Sequence, residues 1–179
     1  MNASFDPGPL ADVGCRPAGP GWTLVFVRDL KHPPEKVWAA LTEPGQLSQW
    51  APFTSARDLA ETGAVTLTMI DGDQSVDMPA SVTRAEPPAL LEYTWGPDVL
   101  RWELAPTALG TRLTLLHTVG ERAAVPKMAA GWHLCLRVAE QLLDGRPIPP
   151  IRGQIALEYG WEDLNAAYTA KLGAEEESI

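Results

Sequence analysis

His117 is the side chain whose type and position most clearly suggest chemistry. It alternates with Leu113, Leu115 and Val119 along one predicted strand face, and among the three histidines it is the only one predicted to point inward. Because imidazole titrates close to neutral pH, an inward histidine can act as a general acid or base. His117 is therefore the candidate catalytic residue, and the alternative is a hydrogen-bonded core histidine without a catalytic role.

Two other polar side chains could share that interior. Tyr93 is predicted to lie on the same sheet face, where it could supply a second polar group or serve only as an aromatic wedge with its hydroxyl at the rim. Arg28 interrupts the apolar run of the first predicted strand. It could anchor an acidic ligand inside a cavity, or it could lie at the rim or pair with a carboxylate.

The remaining candidates do not combine into a site. His133 and Glu140 lie near each other on the polar side of a predicted helix, and His32 precedes two prolines. Because these histidines have no carboxylate at a matching ligand spacing, we expect no metal site and no cofactor. The sequence also lacks a GxSxG nucleophile motif, a P-loop and a dinucleotide-binding glycine pattern.

The composition restricts the class of partner. The chain has 179 residues, 45 % of them hydrophobic, and a formal net charge of −9. This size suits one domain with a sizeable core, and the negative charge argues against nucleic acid or an anionic membrane as partners. Cys15 and Cys135 show no framework spacing, which fits a reducing compartment. Since we find no leader pattern and no apolar run of about 18 residues, we expect a cytoplasmic protein, monomeric or homodimeric.

The sequence around these side chains predicts a sheet preceded by two short helices. Residues 22–30 are rich in β-branched and aromatic residues and predict a first strand. Prolines then begin short helices at residues 35–41 and 44–50. From residue 65 to residue 119, alternating apolar and polar residues separated by turns predict an antiparallel meander of about five strands. Pro79 indicates an edge position or a bulge within it.

A long helix is predicted over residues 122–145, with Pro126 in its first turn and Gly145 just past its end. Its helical period gathers an apolar stripe on one side and a polar set opposite. The stripe contains Met128, Trp132, Cys135, Leu136, Ala139, Leu142 and Leu143, and the polar set contains His133, Arg137, Glu140 and Asp144. The stripe requires a partner surface, which the sheet supplies. Leu134 lies outside it, and a last helix marked by Trp161, Leu164, Tyr168 and Leu172 is expected to cover that flank.

We therefore expect an α+β fold in which a curved antiparallel sheet of about six strands wraps around a long C-terminal helix. Two short helices follow the first strand, and an extra helix closes the chain. Residues 22–173 are expected to form this single domain. Residues 1–21, crowded with Pro and Gly, are expected to be a tail or a surface arm, and residues 174–179 an acidic tail.

Five segments of the sequence carry a family resemblance: HPPEKVWAALTEPGQLSQW, PPALLEYTW, GTRLTLLHT, AAGWHLCLRVAEQLLDGRP and WEDLNAAYTAKLG. With this order of elements they resemble the helix-grip (START/Bet v 1-like) superfamily, and within it the family related to the C-terminal domain of the activator of the Hsp90 ATPase. The resemblance spans residues 22–173. It implies a fold with a cavity between sheet and helix, and it implies no particular ligand, because the family has diverse or unassigned ligands.

The candidate ligand-binding residues are those predicted to face that space: Phe53, Met69, Met78, Tyr93, Trp95, Trp102, His117, Met128, Trp132 and Leu136. They could line a cavity or simply fill the core, and the resemblance favours a cavity. Our leading hypothesis is a domain that binds a small hydrophobic or aromatic ligand there. The alternatives are a cyclase- or dehydratase-like enzyme with acid–base residues in the same cavity, and a protein-interaction module of the chaperone-cofactor kind.

Overall fold

An eight-stranded antiparallel sheet wraps around one long helix in the computed structural model, which describes the backbone of residues 5–176 and the side chains of residues 5–173. The strands pair in the order β1-β2-β8-β7-β6-β5-β4-β3. Consecutive strands from β3 to β8 are therefore neighbours, and the β1–β2 hairpin joins the sheet through the pairing of β2 with β8. The strands are β1 (Asp12–Ala18), β2 (Gly21–Leu30), β3 (Phe53–Ser55), β4 (Gly63–Asp71), β5 (Gln74–Glu86), β6 (Leu90–Trp95), β7 (Asp98–Pro106) and β8 (Thr111–Val119).

Four helices complete the fold: α1 (Pro34–Thr42), α2 (Pro44–Leu47), α3 (Val125–Leu143) and α4 (Trp161–Glu176). A short 3-10 turn, Arg122–Ala124, leads into α3, and a 3-10 segment, Gly153–Tyr159, leads into α4. The predicted α+β class, the curved sheet, the two short helices and the extra closing helix are confirmed. The second short helix ends at Leu47 and is shorter than the predicted 44–50.

Both ends of α3 form as the sequence predicts. Pro126 lies in the first turn, where its missing N–H costs no hydrogen bond. At the other end Gly145 has a φ of +77°, and the N–H groups of Gly145 and Arg146 donate to the carbonyls of Leu142 (3.1 Å) and Gln141 (2.9 Å). This pair of bonds is the Schellman motif, which requires a left-handed residue after the helix.

The expected six strands become eight because β1 and β3 had no clear periodic signal. β1 lies within residues 1–21 and pairs with β2 along its whole length, with Val13 opposite Phe26 and only 3 % exposed. The expectation of a tail is thus corrected for residues 12–18. At the other end, α4 continues to Glu176, into the predicted acidic tail. Residues 1–4 and 177–179 lie outside the described residues.

Pro79 lies where the sequence analysis placed it, in an edge-like part of the sheet. Pro79 on β5 is opposite Thr66 on β4, whereas β6 begins to pair with β5 only at Val82. The β5–β6 register shifts between Val82 and Arg84. Because the β4–β5 hairpin extends past its neighbour, Val76 is 62 % exposed, although alternation along β5 places it on the same sheet face as Met78, which was predicted to point inward.

Candidate functional site

His117 is fully buried and hydrogen-bonded at both ring nitrogens. The indole Nε1–H of Trp132 on α3 donates to His117 Nδ1 at 2.9 Å. Because an indole nitrogen can only donate, Nδ1 accepts, and Nε2 carries the proton of the neutral ring and donates it to Asp98 Oδ2 at 2.7 Å. The imidazole is therefore locked as one tautomer between the sheet and α3.

Aromatic rings fill the space that the sequence analysis assigned to a cavity. Trp102 donates its indole N–H to the hydroxyl of Tyr93 at 3.2 Å, and the Trp102 and Trp132 ring centroids are 5.4 Å apart at right angles. Trp50 packs edge-on against Trp102 at 5.9 Å. Burial raises the pKa of the Tyr93 phenol, so its hydroxyl stays protonated. The space between Tyr93, Trp102, His117 and Trp132 is thus occupied by their own side chains.

A pocket of about 330 Å³ lies on the other side of Trp132. It opens between the middle of α3, the end of β6 and the segment that follows α3. Its wall is mainly apolar and consists chiefly of Trp95, Met128, Trp132, Ile151, Ala156 and Trp161. Gly131 faces it from α3, and a Cβ atom built there would meet no heavy atom within 4 Å. The missing side chain of Gly131 is therefore part of what keeps the pocket open.

Two cationic side chains border this pocket. Arg152 lies at the base of the segment after α3, and its Nη1 donates to the carbonyls of Ser48 (3.2 Å) and Ala51 (3.1 Å). Lys127 is exposed at the mouth. Cys135 also contributes to the wall, but burial raises the pKa of its thiol to about 12, so the thiol remains neutral.

The structure divides the ten predicted ligand-binding residues into four groups. Trp95, Met128 and Trp132 line the pocket. Met69 borders an adjoining depression of about 190 Å³ and accepts the indole N–H of Trp95 on its sulfur at 2.9 Å. Five are buried in the core: Phe53, Tyr93, Trp102, His117 and Leu136. Met78 is half-buried on β5 beside the core.

His133 is not on a polar surface, which corrects its predicted position. It is fully buried and lies between α4 and the N-terminal segment: Nδ1 is 2.7 Å from the Tyr168 hydroxyl and Nε2 is 2.7 Å from the Pro7 carbonyl. The same hydroxyl accepts the N–H of Ala11 at 2.8 Å. Desolvation lowers the pKa of His133. The face of α3 that includes His133 thus packs against α4, and the neighbouring Leu134 is fully buried.

Arg28 forms the ion pair that was one of its predicted alternatives. Its Nε donates to Glu140 Oε2 at 3.0 Å, and Arg137 Nη1 donates to the other oxygen of the same carboxylate at 3.0 Å. The pair lies on the side of α3 near the N-terminal segment. Arg28 is therefore part of the packing between β2 and α3, and it is not among the residues that line the apolar pocket.

Sequence reasoning missed Asp98, Arg152, Ile151 and Trp161. Asp98 could have been found from register, because Leu100 is opposite His117 and Asp98 lies two residues before it, on the same sheet face. Ile151 and Arg152 belong to a stretch in which no period indicates a direction, and Trp161 was predicted only as part of the helix that covers Leu134. Within the described part of the chain, no three His, Cys, Asp or Glu side chains converge on a position suitable for a metal ion.

A family model described as "Activator of Hsp90 ATPase homolog 1-like protein" matches residues 31–144, well over half of the chain. The protein belongs to this family. The match begins between β2 and α1 and ends just after α3, so it includes the aromatic core and the α3 wall of the pocket. It confirms the resemblance seen in the sequence. No curated protein is significantly similar in sequence to the chain.

Solved structures of the same fold come from several bacteria. A conserved protein of unknown function from Enterococcus faecalis is 20 % identical, with 89 % of each chain covered and a TM-score of 0.68. The AHSA1-like protein from Aeromonas hydrophila is 19 % identical over 69 % of this chain and 92 % of its own, with a TM-score of 0.58. A protein from Mesorhizobium loti is 29 % identical over 70 % of this chain and 99 % of its own, with a TM-score of 0.59. These similarities establish the helix-grip fold, and the family supports a general ligand-binding or cofactor-like role for the domain. Among the described helices, none combines the length and the apolar character needed to cross a bilayer.

Proposed function

We propose that this protein binds a small apolar or aromatic molecule in the pocket beside Trp132. The observation that carries the proposal is an apolar pocket of about 330 Å³ that opens where α3 has a glycine in place of a side chain. Ligand pockets generally measure about 300–1,000 Å³ and have mostly hydrophobic walls with a few polar groups. This pocket is at the small end of that range, so its ligand has one or two rings or a short chain.

The walls favour a flat or aromatic molecule. Trp95 and Trp132, whose ring centroids are 5.7 Å apart, meet at the inner wall, and Trp161 approaches from the start of α4. Indole faces interact well with other rings, and such pairs add about 0.5–1.5 kcal/mol beyond the burial of apolar area. Trp132 is itself held by its hydrogen bond to His117. The hydrogen-bonded pair of buried His117 and half-buried Asp98 thus positions a wall of the pocket.

Ligand titration in two glycine variants tests the proposal. A panel of small aromatic compounds is screened for its effect on the melting temperature of the native chain, since a ligand at 100 times its Kd adds about 2.7 kcal/mol to stability. Gly131→Leu places a side chain in the pocket and should abolish the shift. Gly173→Leu, at a helical glycine of α4 that also has open space around its Cβ position, is the matched control and should preserve it. A panel without any shift, or a shift that persists in Gly131→Leu, contradicts the proposal.

The geometry does not favour the enzyme alternative. Both nitrogens of His117 are engaged, its side chain is fully buried, and the Trp95 and Trp132 rings lie against it at 5.5 Å and 6.0 Å. A reactant in the pocket would contact the tryptophans and not the imidazole. Among the residues whose side chains are described, the large apolar ones at the surface are Val76, Leu109, Ile155 and Leu157. Only Ile155 and Leu157 share an element, the 3-10 segment before α4, and two side chains are too few to argue for the interaction-module alternative.

A further inference from the structure

We infer that the ligand of this pocket is an apolar or aromatic carboxylic acid, with its rings against the tryptophans and its carboxylate at Arg152 and Lys127. The inference rests on the proposed function and adds the chemical class of the ligand. It derives from the charges at the pocket and from the geometry of Arg152.

The charge at the pocket is opposite to the charge of the chain. The protein has 23 acidic residues against 14 Lys and Arg, yet the charged side chains that line the pocket are two cations, Lys127 and Arg152, with no carboxylate among them. Asp71 borders the neighbouring depression, and its Oδ1 accepts the N–H of Gln154 at 2.9 Å. The nearby acidic group is thus engaged with the backbone of the segment after α3.

Backbone carbonyls hold the guanidinium of Arg152 in position but use only some of its hydrogen-bond donors. Both of its hydrogen bonds to described residues leave from Nη1, toward the Ser48 and Ala51 carbonyls. Nε and Nη2 donate to no acceptor within residues 5–173, and the guanidinium forms no ion pair there. The backbone carbonyls therefore hold the side chain in position while its other donors remain available. A guanidinium presents such donors in a planar fork that matches the two oxygens of a carboxylate.

Partial burial makes an anionic partner favourable at this position. Desolvation lowers the pKa of Arg152, which means that the charged form loses hydration here. A carboxylate would restore favourable interactions for that charge, and Lys127 at the mouth would add a second attraction that salt can screen. Neutral apolar molecules of the same shape would gain the tryptophan contacts alone.

Calorimetric titration of a matched pair of probes tests the inference. Naphthalene carboxylate and the corresponding primary amide have nearly the same shape and differ in charge. We expect the native chain to bind the carboxylate at least about tenfold more tightly, as a charge-assisted hydrogen bond predicts. Lys127→Gln and Arg152→Gln should each reduce this preference, and Arg152→Lys should retain part of it.

Control variants separate the effect of a charge at the pocket from the effect of the same charge elsewhere on the protein. Lys31→Gln removes the same charge from an exposed lysine that does not line the pocket, and it should leave the preference unchanged. Since Arg152 also supports the Ser48 and Ala51 carbonyls, the melting temperature of its variants is measured alongside. Lys127 forms no hydrogen bond to a described residue, so Lys127→Gln reports on binding without loss of the fold.

The possible outcomes distinguish a failure of the carboxylic-acid inference from a failure of the proposed function. If the amide binds as tightly as the carboxylate and Gly131→Leu abolishes both, the inference of an acid is wrong and the pocket stands. If the carboxylate still binds to Gly131→Leu, or if neither probe binds to the native chain, both the inference and the proposed function are contradicted. A carboxylate preference that Lys127→Gln and Arg152→Gln do not reduce also contradicts the inference.

Discussion

His133 and Tyr168 connect three separate segments through one chain of hydrogen bonds. The N–H of Ala11 donates to the Tyr168 hydroxyl, and His133 Nε2 donates to the Pro7 carbonyl. Because desolvation lowers the pKa of His133, its imidazole is neutral at pH 7, and Nδ1 then accepts the hydroxyl proton of Tyr168. The arrangement therefore makes the attachment of the N-terminal segment sensitive to protonation of one side chain.

We predict that His133 makes the protein less stable below about pH 6.5. Its pKa is lowered in the folded protein, chiefly by desolvation and also by Arg28 and Arg137, against which the Pro7 carbonyl and Glu140 act. Below the pKa of the unfolded chain, the unfolded state binds more protons than the folded state. The free energy of unfolding thus falls as pH decreases through this range and is independent of His133 above it.

Urea denaturation of the native chain and His133→Gln between about pH 5 and about pH 7.5 measures this effect. The other ionisable groups are present in both proteins, so the difference between their pH profiles isolates His133. The native profile should slope more steeply below about pH 6.5. Parallel profiles would show that His133 has the same proton affinity in the folded and unfolded states.

Removing one oxygen from Tyr168 should destabilise the protein by about 1–3 kcal/mol, because Tyr168→Phe leaves the buried Ala11 N–H and His133 Nδ1 without their partner. Tyr159→Phe is the matched control. Tyr159 packs edge-on against Phe5 at 5.2 Å and its hydroxyl forms no hydrogen bond to a described residue, so we expect a change within about 0.5 kcal/mol. Chemical denaturation of the two variants provides the comparison, and equal losses would argue against the hydrogen-bond chain.

Sequence reasoning failed at His133 for a physical reason. The helical period identifies which residues share a face, but it does not identify what covers that face. His133 belongs to the predicted polar side, and only the positions of α4 and of the segment before β1 show that this side is enclosed. By contrast, the inward direction of His117 follows from strand alternation with Leu113 and Leu115, and the structure places it fully inside.

At the scale of elements, one glycine within α3 and one just after its end have opposite physical roles. Gly131 has helical backbone and open space at its Cβ position, whereas Gly145 has a φ of +77° just after the helix, also with open space. Neither site has a steric obstacle, so substitution by alanine isolates the backbone contribution in each case.

We predict opposite changes in stability for these two positions. Gly131→Ala should stabilise the protein by about 0.5–1 kcal/mol because alanine has the higher helix propensity. Gly145→Ala should destabilise it by about 1 kcal/mol because an L-residue is strained in the left-handed region that the Schellman motif requires. Thermal denaturation of both variants measures the difference in sign, and a shift in the same direction for both would contradict it.

The sequence predicts α3 better than it predicts the pocket beside α3. Pro126 and Gly145 mark the ends of the helix, and Trp132 lies on the predicted stripe. The pocket also requires Arg152 and Trp161, whose positions depend on the path of a proline-rich segment without periodicity. The sequence also predicts bulky residues between sheet and helix. It does not predict the hydrogen bonds and ring angles with which these side chains fill the space between Tyr93, Trp102 and His117, nor the pocket that stays open beside Trp132.

At the scale of the whole molecule, the N-terminal residues complete the sheet and the core. β1 covers the edge of β2, and its Val13 is almost fully buried. Residues before β1 supply the Pro7 carbonyl to His133, and Lys171 on α4 donates to the Ala11 carbonyl at 2.9 Å. The prolines and glycines of this stretch obscured the strand in the sequence. Its composition is compatible with an edge strand, since Pro17 lies opposite Trp22 at the end of β1 and the outer side of β1 has no neighbour in the sheet.

Deleting residues 1–18 should therefore cost several kcal/mol of stability. Burying a valine contributes about 1.5–3 kcal/mol, and each buried group left without its hydrogen-bond partner costs about 1–3 kcal/mol. Because domains are stable by only about 5–15 kcal/mol, this loss is a large fraction of the total. The deletion also uncovers the edge of β2, which favours aggregation. The full-length variant Val13→Asp keeps the chain intact, introduces a buried charge opposite Phe26, and should lower the urea midpoint in the same direction. A truncated chain with an unchanged midpoint would show that the segment lies on the surface without supporting the fold.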